Sequence, residues 1–220
     1  MDRNTTVTWE LSGSCYIMTF KFPKQYVLDN FLAEPFRKNY YGNIGTIFLA
    51  DYQSSNMGPF RELFFVPGKF RFQRRNLQTV SRAFVSTEAA MNNAGQNWGI
   101  PKVMADFDLV CPDRESENLK VTVNGVPVMD IIIRTPESGF PFPVNSFVPK
   151  RLVQQSEGKT YFLNLQGRGF GKLGQILKVD VNPALFPNFA FFKHVAIIRV
   201  RNFRLKIPAA KTINQWRIEN

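Results

Sequence analysis

The chain has 220 residues, is 44% hydrophobic and 14% aromatic, and carries 28 Lys and Arg against 17 Asp and Glu, a formal net charge of +11. That apolar content excludes a disordered chain and allows a real core without disulfides or a structural metal, at a length that fits one domain over 1–220. Two cysteines, Cys15 and Cys111, each among apolar neighbours, are too few for a disulfide framework, and with no signal-type apolar stretch after Met1 and no membrane-spanning run we expect a cytoplasmic protein.

Positive charge favours anionic partners by long-range attraction. No helix-turn-helix, zinc-ligand spacing or RNP aromatic motif accompanies it, and the densest basic cluster, Lys69, Arg71, Arg74 and Arg75, alternates with Phe70 and Phe72 as the outer face of a strand does. We expect no nucleic-acid partner and no membrane association; small anionic substrates explain the charge more simply, and a merely soluble basic surface more simply still.

Strand signals dominate from the start. Thr6–Leu11 and Cys15–Phe22 are β-branched or aromatic runs parted by Ser12-Gly13-Ser14, which predicts a hairpin. Pro23 ends the second run, and Tyr26, Val27, Phe31 and Leu32 predict a helix from Lys24 to Leu32 that Pro35 closes. Ile44–Tyr52 and Phe60–Phe72 read as two long strands, the second broken at Pro67-Gly68. Ser86 is placed to cap a short helix through Ala94, with Glu88 in its first turn and Gly95 at its stop.

Further strands are expected over Lys102–Val110, Asn118–Val123, Val126–Arg134, Lys159–Leu165, Ile176–Val181 and Val195–Leu205, with Asn124-Gly125 as a type I′ hairpin turn. Antiparallel strands with a few short helices make the fold class α+β, mainly antiparallel β, of barrel or sandwich type; no parallel βαβ repeat is supported.

Within this frame two ionisable residues stand in apolar surroundings. Lys102 leaves the stiff turn Trp98-Gly99-Ile100-Pro101 directly into a strand pattern. Most lysines keep the ammonium in water with only the stem buried. A desolvated one loses its preference for the charged form, and the free amine then attacks carbonyls to form a Schiff base.

Glu62 lies in Gly58-Pro59-Phe60-Arg61-Glu62-Leu63-Phe64, where alternation puts Phe60, Glu62 and Phe64 on one face. A carboxylate there needs a partner. It is either a salt bridge, with Arg61 or a distant lysine, or a general acid/base in an apolar cavity.

Other motifs carry less. His194 is the single histidine and reads as structural. Gly167–Gly174 lacks the order of a phosphate loop and reads as a bulged hairpin. Neither a metal site nor a nucleotide or other cofactor is expected.

The run Ser86-Thr87-Glu88-Ala89-Ala90, continuing through Ala94-Gly95-Gln96-Asn97-Trp98-Gly99-Ile100-Pro101-Lys102, resembles the acetoacetate decarboxylase family, and Gly58-Pro59-Phe60-Arg61-Glu62-Leu63 is similar to that family's second motif. The likeness extends from about Cys15 to Leu205. It implies an acetoacetate decarboxylase-like β-barrel with a few short helices, a homo-oligomer, Lys102 as Schiff-base lysine and Glu62 as the active-site glutamate.

Two departures accompany it. The decarboxylases have a second lysine where Val103 stands, and an arginine near the amino-terminal strand where Ser14 falls, with none within Leu11–Phe20. The expected function is a lyase of the Schiff-base type acting on a small carbonyl substrate such as a keto acid, by decarboxylation or aldol-type cleavage, with Phe60, Phe64 and Trp98 lining the substrate site. The alternative is a non-catalytic small-ligand-binding protein on the same fold.

Overall fold

The computed structural model describes residues 7–72 and 75–214; Thr6 and Arg74 lie outside the described residues. Strand β1 (Trp9–Lys21) is followed by helices α1 (Lys24–Asn30) and α2 (Glu34–Arg37) and by β2 (Ile44–Ser55) and β3 (Phe60–Val66). Ser12-Gly13-Ser14 does not turn. The chain runs straight through it as one strand, and Gly13 carries a register shift because a Cβ there would lie 2.0 Å from the Asp51 carbonyl oxygen. Nor does Pro35 end a long helix: α1 stops at Asn30, and Pro35 sits in the first turn of α2, where its missing N–H costs nothing.

Two short strands, β4 (Phe70–Phe72) and β5 (Arg75–Leu77), precede β6 (Arg82–Val85) and helix α3 (Glu88–Trp98). The cap of α3 is Thr87, not Ser86, and accepts from the Ala90 N–H. Ser86 instead accepts from the Arg61 N–H at 2.8 Å, pinning the helix entry to β3. The helix also passes Gly95 and stops one turn later at Gly99, whose φ of 62° is left-handed.

Strands β7 (Val103–Met104), β8 (Asp106–Val110), β9 (Ser116–Val123) and β10 (Val126–Arg134) follow, then β11 (Phe142–Pro143), β12 (Arg151–Ser156) and β13 (Lys159–Asn164). Positive φ at Asn124 and Gly125 makes the predicted turn between β9 and β10. The glycine-rich run becomes β14 (Gln166–Arg168) and β15 (Phe170–Leu173), before β16 (Gln175–Val181), a 3-10 turn at Phe189–Phe191, β17 (His194–Ile207) and β18 (Lys211–Asn214). It is no hairpin: β14 and β15 both pair with β17, as one strand interrupted at Gly169, where a Cβ would lie 2.8 Å from the Val200 side chain.

The main sheet runs in the order β11-β15-β17-β1-β2-β3-β6-β7, with β14 also on β17. All its pairings are antiparallel except β6 with β7, so α3 closes a single parallel βαβ unit. The ladder does not close on itself among the described residues, so the architecture is mainly antiparallel α+β without a closed barrel.

Alternation along the strands gives this sheet two apolar faces, and both are covered. One packs Met18, Ile47, Leu63 and Phe65 against the sheet β16-β10-β9-β8 through Val121, Ile131 and Ile133. The other packs Ile17, Phe48, Phe64 and Val85 against α3 and against Leu152 and Leu163 of the β12-β13-β18 sheet. Helix α3 presents Ala90, Ala94 and Trp98, a spacing of four that keeps small residues against the strands. No helix among the described residues is long and apolar enough to cross a membrane.

Candidate active site

Glu62 sits on the second apolar face, between Ala50 across β2 and Val85 across β6. Both neighbours are short, which leaves room for the carboxylate. Phe60 and Phe64 share its face and its core, as alternation predicts, while Leu63 and Phe65 belong to the opposite one.

Lys102 reaches the same place from another part of the chain. Gly99 ends α3, with its N–H on the Gly95 carbonyl and the Ile100 N–H on the Ala94 carbonyl, so the chain reverses within two residues. A side chain at 99 would meet the Tyr161 ring at 2.6 Å. Pro101 then stiffens the return, and Val103 pairs with Phe84 as β7 joins the sheet beside β6.

The outcome is a buried ion pair. Lys102 Nζ is 2.6 Å from Glu62 Oε1, and the two side chains are 4% and 7% exposed. The ammonium also lies 5.4 Å from the Trp9 ring centre and 5.9 Å from that of Phe60, within range of attraction to their π faces. A charge pair this dry holds only because its partners are in direct contact. Of the two readings of Glu62, the distant lysine is the one observed as its partner; Arg61 faces the other way, to Asp51 and the Phe107 carbonyl.

The remaining expected residues fall at different depths. Phe60 touches the pair directly. Trp98 is one ring removed, packed edge-on at 4.5 Å against Trp9 with its Nε1 donating to the Pro208 carbonyl. Phe64 is a step further along β3, stacked on Phe48 at 5.0 Å. Val103 points away and is about half exposed, so the position that holds a second lysine in the decarboxylases does not face Lys102 here. Ser14 lines a small cavity with Asp51 and Arg61, on the face opposite Lys102.

Two site residues escaped the sequence reading. Trp9 forms the wall over the ammonium, and Tyr52, directly across from Phe60, is fully buried. The alternation Trp9, Leu11, Gly13, Cys15, Ile17 marks that face, but only the register of β1 with β2 brings it to Glu62. Both Trp9 Nε1 and the Tyr52 hydroxyl lack a hydrogen-bond partner among the described residues. Burial pushes the Tyr52 phenol well up, and the Glu62 carboxylate beside it adds to that. Cys15 is raised by burial alone, whereas Cys111 is exposed. His194 is exposed at the start of β17. Among the described residues no group of three His, Cys, Asp or Glu side chains could hold a metal ion.

The two-faced, mainly antiparallel sheet with α3 against one face is similar in fold to the acetoacetate decarboxylases. Acetoacetate decarboxylase from Legionella pneumophila subsp. pneumophila str. Philadelphia 1 superposes with a TM-score of 0.74 at 13% identity, covering 96% of this chain and 89% of that one. An acetoacetate decarboxylase-like enzyme from Sphingomonas wittichii RW1 gives 0.71 at 10%, covering 96% and 94%. The enduracididine biosynthesis enzyme MppR gives 0.68 at 12%, covering 97% and 90%. No protein-family model matches the sequence, and no curated protein matches it.

Proposed function

We propose that the protein is a Schiff-base lyase acting on a small keto acid or related carbonyl compound, with Lys102 as nucleophile and Glu62 as its proton partner. The observation that carries this reading is the 2.6 Å contact between the two groups in an apolar enclosure. Proton transfer across that contact converts the ion pair into a neutral amine and a carboxylic acid without moving charge into water.

The amine attacks the substrate carbonyl carbon, and the acid returns its proton to the carbinolamine oxygen, which leaves as water. The iminium accepts the electron pair of the breaking C–C bond as carbon dioxide or an aldehyde departs. Glu62, protonated again by the medium or, where an aldehyde leaves, by that group's hydroxyl, delivers a proton to the enamine carbon, and water releases the product and the lysine. Trp9 and Phe60 shield the iminium, and the π face of Trp9 favours its positive charge.

MppR has been seen complexed with pyruvate and with the condensation product of pyruvate and imidazole 4-carboxaldehyde, which supports a carbonyl substrate on this fold. We extend to this chain a homo-oligomeric state. The test is incubation with pyruvate, acetoacetate and a wider keto-acid panel in the presence of borohydride, followed by peptide mass analysis. Reduced adduct at Lys102 is expected; a folded protein that gives none across the panel sinks the enzymatic reading and leaves a ligand-binding protein.

A further inference from the structure

A second polar site lies on the other face of the main sheet, two to four strands from Glu62. Tyr16 of β1, Arg199 of β17 and Lys172 of β15 are direct cross-strand neighbours in a single row. Two cations side by side in a ladder repel, so something must offset them. Glu117 pairs with Arg199 and offsets one. Lys172 is left donating to the Glu137 carbonyl, and Arg201 to the Arg114 carbonyl, neither of which carries a charge.

Thr135 closes the row from the end of β10. It is 5% exposed, and among the described residues neither its Oγ1 nor the buried Tyr16 hydroxyl has a hydrogen-bond partner. Tyr16 is near enough to Thr135 and Arg199 for both to restrain the rise that burial imposes on its phenol, yet its oxygen is in hydrogen-bonding geometry with neither. Unpaired buried hydroxyls are costly and uncommon in native proteins. Thr135 lines, with Arg199, a groove of about 370 Å³, while Tyr16 lies behind them and lines the small cavity beside Asp51 and Arg61.

The groove's walls decide what it accepts. Pro136, Pro141 and the outward-facing Phe170 make one side apolar. The charges are Lys172, Arg199 and Arg201 against Glu117 behind and Glu137 at the rim, which leaves one positive charge uncompensated. We infer that this groove binds a small organic monocarboxylate with an apolar body. The carboxylate would accept from the Thr135 hydroxyl and the facing cations, and its body would lie against Phe170 and the prolines. A phosphomonoester dianion overfills the charge, and a purely apolar ligand leaves the Thr135 hydroxyl unpaired. The site is independent of the Lys102 chemistry, because the sheet separates the two.

Titration calorimetry of the full chain with phenylacetate, 3-phenylpropionate and benzoate tests this, with phenylacetamide and inorganic phosphate as comparisons. Saturable binding of at least one carboxylate is expected, with roughly tenfold or greater loss in Thr135→Val and in the Lys172→Gln, Arg201→Gln double variant. Thr135→Val removes a hydroxyl with no partner among the described residues, so its Tm should not fall, and lost affinity is then not lost folding. A Lys102→Met, Glu62→Gln variant should bind as the wild type does. Equal binding of the amide, tighter binding of phosphate or of a single-stranded oligonucleotide, unchanged affinity in Thr135→Val, loss in the Lys102→Met, Glu62→Gln variant, or no saturable carboxylate binding at millimolar probe would each overturn the assignment.

Discussion

Lys102 Nζ meets Glu62 Oε1 at 2.6 Å although the two residues arrive from different elements, Glu62 on the central strand β3 and Lys102 from the turn between α3 and β7. Each is the other's only close counter-charge among the ion pairs of the described residues. Glu62→Gln therefore strands a buried ammonium and should cost about 3–5 kcal/mol. Replacing both, as Lys102→Met with Glu62→Gln, should restore stability to within about 1–2 kcal/mol of the wild type. Urea denaturation of the three proteins at one pH measures this, and a single variant as stable as the wild type would show that the ammonium reaches water.

The turn is as decisive as the pair. Gly99→Ala forces a side chain into left-handed backbone and against the Tyr161 ring, so it should lose about 2 kcal/mol or more and displace Lys102. Thr87→Ala, which removes the cap at the far end of α3, should lose only about 1 kcal/mol. Borohydride trapping at a temperature where both variants are folded should fall in Gly99→Ala and hold in Thr87→Ala. Equal trapping in the two would mean that the turn does not position the amine.

Val103→Lys should not create an activating neighbour. Position 103 faces outward, so the new ammonium enters solvent and stability should change by less than about 0.5 kcal/mol. The pH dependence of trapping at Lys102 should match the wild type; a shift of that profile toward lower pH would contradict the outward placement.

Tyr52→Phe removes a buried hydroxyl that has no hydrogen-bond partner among the described residues. Stability should rise by about 1 kcal/mol, because the desolvation cost of an unpaired group disappears. If a substrate oxygen is its partner in the complex, trapping should slow in the same variant. A loss of stability would instead reveal a hydrogen bond that the protein itself supplies.

Alkaline and acid limits follow from other groups. Burial pushes the Tyr40 phenol up to about 12, so the folded state holds this proton more tightly than the unfolded chain does. Its contribution is complete below the ordinary tyrosine value near 10 and is lost as pH rises from there towards about 12. At the other end the Glu115 and Ser116 N–H groups hold the Asp113 carboxyl below its ordinary value. That contribution is complete above the usual aspartate range and is lost as pH falls through the depressed value. Chemical denaturation across pH, with phenolate absorbance followed alongside, should show tyrosine ionisation coinciding with unfolding at the alkaline end.

Much of this was legible along the chain, because alternation is a local property. Phe60, Glu62 and Phe64 share a face whatever else the strand touches, and Asn124-Gly125 turns because both residues tolerate positive φ. Local signals failed where a neighbouring strand intervened. Ser12-Gly13-Ser14 has turn composition, yet β2 and β17 pair along both its edges and hold it straight. Gly95 looks like a helix stop, but Trp98 packs against Trp9 and extends α3 to Gly99.

The sequence by itself determined that a lysine leaves a glycine-proline turn, that a glutamate stands among phenylalanines, and that antiparallel strands dominate, since these depend on residue type and spacing over a few positions. Only the tertiary structure decided that Lys102 and Glu62 neutralise each other, that Trp9 and Tyr52 enclose them, and that Val103 and Ser14 face elsewhere. Strand register is the reason: it joins residues tens of positions apart, and it is set by the summed burial of two sheet faces, which no local stretch encodes.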